Sequence, residues 1–337
     1  MPRRTVAAAV VAALAVVTLS TATPAEAANA ATLTSGVAFS YIKDANGCSS
    51  NVADFSDSPA TPLGFDGTPV TTSWSGNATL TKKSGDTGDQ VFLGAAAHGT
   101  VVGRSTAGSP SSIDVDGTVT TTVTSTRANS ACSAFTLGSM RAQGTVELSA
   151  PMLVTIDVES DSGVGVEAAA GPLQVTTRNL AGRQSGTALV PAGTMPFLAR
   201  ISQQHSQPPA PMPSTWTGGA QVHITLTTPG SQTVPAKGKA ASYVALPAAR
   251  SCASHAVTPS VVAKKKKAKK IALVTYYVNG ITVRKVKKPK KGAVVALPVA
   301  DDEGAEVRAV VRLVQKKKGP QHRKELEVTA SYAACSG

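Results

Sequence analysis

Three lysine-rich groups near the end of the chain are the residues whose type and spacing suggest chemistry. The first is Lys264, Lys265, Lys266 and Lys267 with Lys269 and Lys270. The second is Arg284, Lys285, Lys287, Lys288, Lys290 and Lys291, and the third is Lys316, Lys317 and Lys318. An ammonium is a compact point charge, suited to diffuse attraction to phosphate, whereas planar bidentate recognition would call for arginine. The three groups therefore predict salt-dependent binding of a charge-dense polyanion, such as an anionic cell-wall polymer, with nucleic acid an incidental partner and no sequence-specific reading of it. The competing expectation is that lysine merely solvates and protects exposed strand edges.

Other chemistry is sparse. His98, His205, His223, His255 and His322 are scattered, without the spacing of a zinc site, and no cysteine pair has a ligand spacing either. No Gly-x-Ser-x-Gly elbow and no phosphate-cradling glycine loop occurs. The expectation is a non-enzymatic protein with no cofactor and no metal. Four acidic turns are the candidates for calcium: Asp54 with Asp57, Asp86 with Asp89, Asp114 with Asp116, and Asp157 with Glu159 and Asp161. None supplies the six to eight oxygens of a complete calcium loop, and turn chemistry accounts for aspartate there. Trp74 and Trp216 offer surfaces for sugar rings if exposed, but burial is the expected use. His223 alternates with Val222, Ile224 and Leu226 and so belongs on the solvent face of a strand.

Charge divides the chain. Residues 251–337 carry 19 Lys and Arg against 6 Asp and Glu, a net of +13, while residues 1–250 carry 14 of each. The formal excess of the whole chain, +13, therefore lies in its last quarter. A basic module attached to a neutral one suits an anion-seeking attachment element. The start of the chain reads as a secretory signal peptide over residues 1–27: Arg3 and Arg4, an apolar run from Val6 to Leu19, and Ala25-Glu26-Ala27 as cleavage site. Export to an oxidising space favours disulfides. Cys48, Cys132, Cys252 and Cys335 permit three pairings, among which spacing alone does not choose. Independent folding of two modules favours Cys48–Cys132 and Cys252–Cys335. A secreted or wall-associated location follows as an expectation, with no membrane span.

The elements that would position the lysines read as strands. Val274, Tyr276 and Val278 alternate with Leu273, Thr275 and Tyr277, Asn279-Gly280 suits a tight turn, and Ile281, Val283 and Val286 return. These last three cannot all face inward on strict alternation, which predicts a bulge or a wider loop. The stretch "VTYYVNGITVRKVKKPKKG", followed by "AVVALPVADDEGAEVRAVVRLVQKKKG" and "ELEVTASYAAC", resembles the immunoglobulin-like modules of actinobacterial secreted surface proteins. That resemblance implies a small β-sandwich and no particular activity.

Upstream, strand-like runs cover residues 70–82, 90–105, 113–126 and 134–148, with alternation again around Ile156, Ala199 and Ile224. The stretch "ELSAPMLVTIDVESDSGVGVEAAAG", followed by "LVPAGTMPFLARI", is similar, through degenerate motifs, to accessory β-sandwich domains of bacterial secreted proteins. Gly and Pro interrupt almost every window long enough for a helix. The predicted architecture is all-β: a jelly-roll-like β-sandwich over residues 28–228, a linker over 229–249, and a smaller immunoglobulin-like β-sandwich over 250–337. The proline run at 208–213 is placed in a long loop between the last two strands of the first sandwich. Three functions suit such a chain: a non-catalytic binding protein attached through its basic module, a spacer without ligand, or an extracellular hydrolase with an unrecognised site in the first sandwich.

Overall fold

The computed structural model describes residues 30–41, 48–50, 55–82, 88–106, 108–127, 130, 132, 134–178, 181–207, 214–314 and 324–336, with only the backbone of 30, 35–41, 48–50, 55–57, 134, 206 and 207. The stretch read as a signal peptide, residues 1–27, and the 208–213 proline run fall outside them. The first region contains β1 (Ala30–Tyr41), β2 (Cys48–Ser50), β3 (Phe55–Asp57), β4 (Thr61–Pro62), β5 (Asp66–Lys82), β6 (Gln90–Thr106) and β7 (Ser109–Ser125). It continues through β8 (Ala134–Leu148), β9 (Met152–Ser160), β10 (Val164–Ala170), β11 (Leu173–Thr177), β12 (Gly182–Val190), β13 (Gly193–Gln207) and β14 (Ser214–Thr227). The strands form because apolar residues recur with period two: β10 buries every second side chain along its length.

The last eight of these strands pair in a nested fashion. β10 pairs with β11, β9 with β12, β8 with β13 and β7 with β14, all antiparallel. Folded over itself, this series gives the sheets β12-β9-β14-β7 and β11-β10-β13-β8, which is the jelly-roll arrangement. β6, β5 and β2 extend the first sheet beyond β7, and β1 with β3 and β4 extends the second beyond β8, so each sheet has seven strands.

Val154, Ile156, Val158, Val222 and Ile224 of one sheet face Met140, Val166, Ala168, Ala199 and Ile201 of the other. Gly99 of β6 and Gly117 of β7 are register partners, and a β-carbon at either would fall 2.1 or 2.2 Å from the Met140 sulfur. Their missing side chains make room for that methionine. A smaller cluster around Leu80, Val91, Leu93 and Val123 is flanked by half-buried Trp74 and Trp216, so both tryptophans contribute to packing.

The second region contains β15 (Gln232–Lys237), β16 (Val244–Ala245), β17 (Ala256–Val257), β18 (Ser260–Val261), one helical turn α1 (Lys265–Ala268), β19 (Ile271–Val278), β20 (Ile281–Lys287), β21 (Leu297–Pro298), β22 (Ala305–Leu313) and β23 (Lys324–Tyr332). One five-stranded sheet runs β15-β23-β22-β19-β20, and two short ladders, β16-β18 and β17-β21, complete the region. Its core gathers Val244, Val257, Val261, Ile271, Val274, Tyr276, Leu297, Val311 and Val328.

The hairpin predicted from Asn279-Gly280 is present as β19 and β20. Asn279 and Gly280 have φ of 49° and 78°, the positive values that a two-residue turn of this kind requires. Tyr277 faces Thr282 and Tyr276 faces Arg284, so Val283 is the extra residue of a bulge. The bulge lets Val283 and Val286 both pack against the core while Ile281 stays 71% exposed.

The stretch read as a linker, 229–249, is corrected by the pairing. Gln232–Lys237 is an outer strand of the five-stranded sheet, paired with β23, and Val244–Ala245 pairs with β18. Ala240, Val244 and Leu246 are buried in the second core. An edge strand needs little apolar surface and accommodates Pro235, because an edge leaves some N–H positions without a ladder partner. The connection between the two regions shrinks to residues 228–231. There the Gly230 amide donates to Ala334 O at 3.0 Å, and Leu153 of β9 packs with Ala333 and Ala334.

Candidate anion site in the basic module

The site is built by two turns at the same corner of the second region. The run 264–270 has one apolar side chain, Ala268, and it is Ala268 that turns into the core, at 6% exposure. That choice sets the rest: Lys264, Lys265, Lys266, Lys267, Lys269 and Lys270 are all exposed. The turn is closed by Lys264 O, which accepts from the amides of Lys267 at 2.7 Å and Ala268 at 2.9 Å. Lys267 leans over the Tyr243 ring, with Nζ 5.7 Å from its centre.

The second turn follows β20. Lys288 takes a left-handed conformation, φ 44°, while its amide donates to Ala272 O at 3.0 Å; Pro289 beside it is buried. The Gly292 amide donates to Val261 O at 2.8 Å, which ties the far side of the turn to β18. Between the two turns lies a pocket of about 760 Å³ lined by Lys265, Ala268, Lys269, Ile271, Lys288, Pro289, Lys290, Lys291 and Val314. No acidic residue is among them. Five cations from two separate lysine groups thus share one concavity.

The remaining cations lie near by or elsewhere. Arg284, Lys285 and Lys287 line a shallow groove along β20 with Thr282, Val283 and Val286. Lys266 and Lys267 on α1, and Lys264 and Lys270 beside it, do not line the pocket. Lys316, Lys317 and Lys318 lie outside the described residues. Among the described residues, no lysine of the first two groups forms an ion pair with an acid. Three of the six acids of this region are turned to other cations or to imidazole: Glu325 accepts from Arg312 Nη2 at 2.7 Å, Glu327 lies 3.9 Å from Arg308, and Asp301 pairs with His255. Arg308 itself stacks over Tyr277, 4.4 Å from the ring centre.

A buried cation supports the same module from inside. The Arg250 guanidinium donates to Ala300 O at 2.7 Å and to Asp301 O and Glu303 O at 3.1 Å. Burial holds its pKa below the usual arginine range, against the opposing charge of Asp301. The Cys252–Cys335 disulfide is formed, with Cα atoms 5.5 Å apart. Cys132 is also disulfide-bonded, and the side chain of its predicted partner Cys48 lies outside the described ones.

The other candidate residues serve the first sandwich. Asp114 pairs with both Arg104 and His223, and Asp116 accepts from Gln221 Nε2 at 3.1 Å. Asp157 lies 3.5 Å from Arg183, and Asp161 Oδ2 accepts from the Gly219 amide at 2.8 Å. These carboxylates are thus turned to cations and amides, and among the described residues no three His, Cys, Asp or Glu side chains converge as a metal site would need. His98 and His223 are exposed, and His322 lies outside the described residues. His205 stacks on Trp216 with ring centres 3.4 Å apart, and burial lowers its pKa.

Sequence reasoning located the cations but not the pocket floor. Ile271, Pro289 and Val314 are far apart in sequence, and no motif links them. Only the pairing of β19 with β20 and β22 brings them together. Among the described residues no helix is long and apolar enough to cross a membrane.

No protein-family model matches the chain, and no curated protein matches its sequence. Among solved structures, the chain is similar to the adhesin domain of Epf from Streptococcus pyogenes. The two are 10% identical, the likeness covers 86% of this chain and 89% of that one, and the TM-score is 0.21. A likeness of that degree carries no argument about this chain.

Proposed function

We propose that the chain is a non-catalytic, exported binding protein. In this reading an immunoglobulin-like basic module attaches to an extracellular polyanion, with an anionic cell-wall polymer as the partner class, and the jelly roll, whose residues 28–228 carry 9 Lys and Arg against 13 Asp and Glu, is the body it anchors. The observation that carries the reading is the convergence of Lys265 and Lys269 with Lys288, Lys290 and Lys291 around one pocket that no carboxylate lines. Charges gathered at one corner act together over the screening length of about 8 Å at physiological salt.

The second reading is that the lysines only solvate and protect the module. It is favoured by the position of β20 at an open sheet edge, where lysine discourages strand pairing between molecules. Retention of the full chain on immobilised teichoic acid or polyphosphate separates the two. Attachment predicts retention at low salt, its loss as salt approaches about 1 M, where the screening length is about 3 Å, and its weakening in a variant with Lys265, Lys269, Lys288 and Lys290 changed to Ser. Absence of retention at low salt, or indifference to both salt and substitution, sinks attachment and leaves the solvating role.

A further inference from the structure

We infer that the pocket between α1 and the end of β20 is a site for a small amphiphilic anion: one phosphate or carboxylate head on an aliphatic chain. The inference rests on the proposed anion-binding role of these lysines and deepens it. A polyanion running over the surface needs only the lysine rim. The pocket has a floor as well, made by Ala268, Ile271, Pro289 and Val314, all apolar. Val314 is 50% exposed at its margin, so uncovered apolar surface lies directly beside the ammonium groups. The lysine side chains extend the same character, since each presents a methylene stem below its charged end.

Size and rigidity point the same way. About 760 Å³ exceeds what a phosphate group fills and lies within the range of small-ligand sites, about 300–1,000 Å³. Both walls are fixed before any ligand arrives. Lys288 is bonded to Ala272, Gly292 to Val261, and the Val314 amide donates to Lys270 O at 2.8 Å. A preformed pocket loses less ordering entropy on binding. With cations on two sides and no carboxylate, the rim selects an anionic head; the floor selects a chain behind it.

Calorimetric titration of the full chain tests this with decyl phosphate below its micelle-forming concentration, inorganic phosphate, decyl maltoside and polyphosphate. The expected result is that decyl phosphate binds at least about tenfold more tightly than inorganic phosphate and than the uncharged maltoside. Val314→Asn should reduce the advantage over inorganic phosphate. Changing Lys269 and Lys290 to Ser should weaken decyl phosphate and polyphosphate alike. Melting curves of each variant verify folding. An advantage below tenfold, or one that Val314→Asn leaves intact, overturns the amphiphile site; retained polyphosphate binding would then leave the attachment reading standing, and loss of both would remove both. Phosphatidate vesicles form a last arm: binding to vesicles with none to monomeric decyl phosphate means a charged surface is recognised, which also overturns the site.

Discussion

The two halves of this molecule handle charge in opposite ways. On the jelly roll the carboxylates are answered by side chains of the same sheet: Arg104 and His223 meet Asp114, Arg183 meets Asp157, and the Gln221 amide donates to Asp116. In the basic module the arginines of β22 pair across to β23, while among the described residues the lysines around the pocket form no ion pair and no acid lines it. A count of charges would miss this distinction. Matched charges on a sheet contribute little beyond local order and solubility, whereas unmatched charges of one sign leave a field that an outside partner can answer. The cores differ too. The jelly roll closes two broad sheets over small side chains and glycines, and the basic module covers one sheet with short ladders and relies on a disulfide and a buried arginine.

The strongest way to break the comparison is to remove the disulfide. The bridge spans 83 residues, and replacing Cys252 and Cys335 by Ser should cost the basic module about 2–5 kcal/mol. Differential scanning calorimetry should show one transition moving down and the jelly-roll transition holding its place. If both move together, the cores are one cooperative unit and the contrast is only one of surface.

A smaller effect, aimed at the other half, comes from Gly117→Val. The new side chain meets Met140 and Ile201, and overpacking of this sort costs about 1–3 kcal/mol. The jelly-roll transition should fall while retention on polyphosphate stays as it was. A fall in retention would show that the first half takes part in binding.

The smallest effect sharpens the account of the second core. Tyr276 and Tyr332 are both buried, but the Tyr332 hydroxyl donates to Pro247 O at 2.9 Å, whereas that of Tyr276 finds no partner among the described residues. Tyr332→Phe should cost about 1 kcal/mol; Tyr276→Phe should be neutral or slightly stabilising. Burial pushes the Tyr276 pKa from about 10 up to about 12. Since the folded state holds that proton more tightly than the unfolded chain, the associated stability is complete below about pH 10 and is lost as pH rises through about 12. Denaturation curves across that window should fall less steeply for Tyr276→Phe than for the parent. Equal slopes would mean that another group controls the alkaline limit.

Much of this was legible in the sequence, for reasons that differ from element to element. The β19–β20 hairpin was legible because alternation and a turn dipeptide agree, and even the bulge follows from Ile281, Val283 and Val286 failing to alternate. The long strands of the jelly roll follow from period-two burial. β15 was not legible: its side chains from Gln232 to Lys237 are exposed or half-buried, so nothing in it alternates, and Pro235 reads as a break. An edge strand is defined by its partner's backbone, which composition does not encode. For the anion site, the cations were visible as runs, but the apolar floor depends on three strands meeting.

The nested pairing of the jelly roll also fixes when the fold can form. The hairpin β10–β11 closes within a few residues, but each surrounding pair joins segments further apart, and the outermost brings Thr120 to Thr217, 97 residues away, and Asp114 to His223, 109 away. Such contacts must close large loops before they return any stabilisation, which places the domain among slow-folding topologies, on the order of milliseconds to seconds. Until β14 is available, β7 and β9 lack the neighbour that joins them, and the sheet stays divided. A chain read out from its N-terminus can pair β5, β6 and β7 locally, but it completes this region only when nearly all of it has emerged.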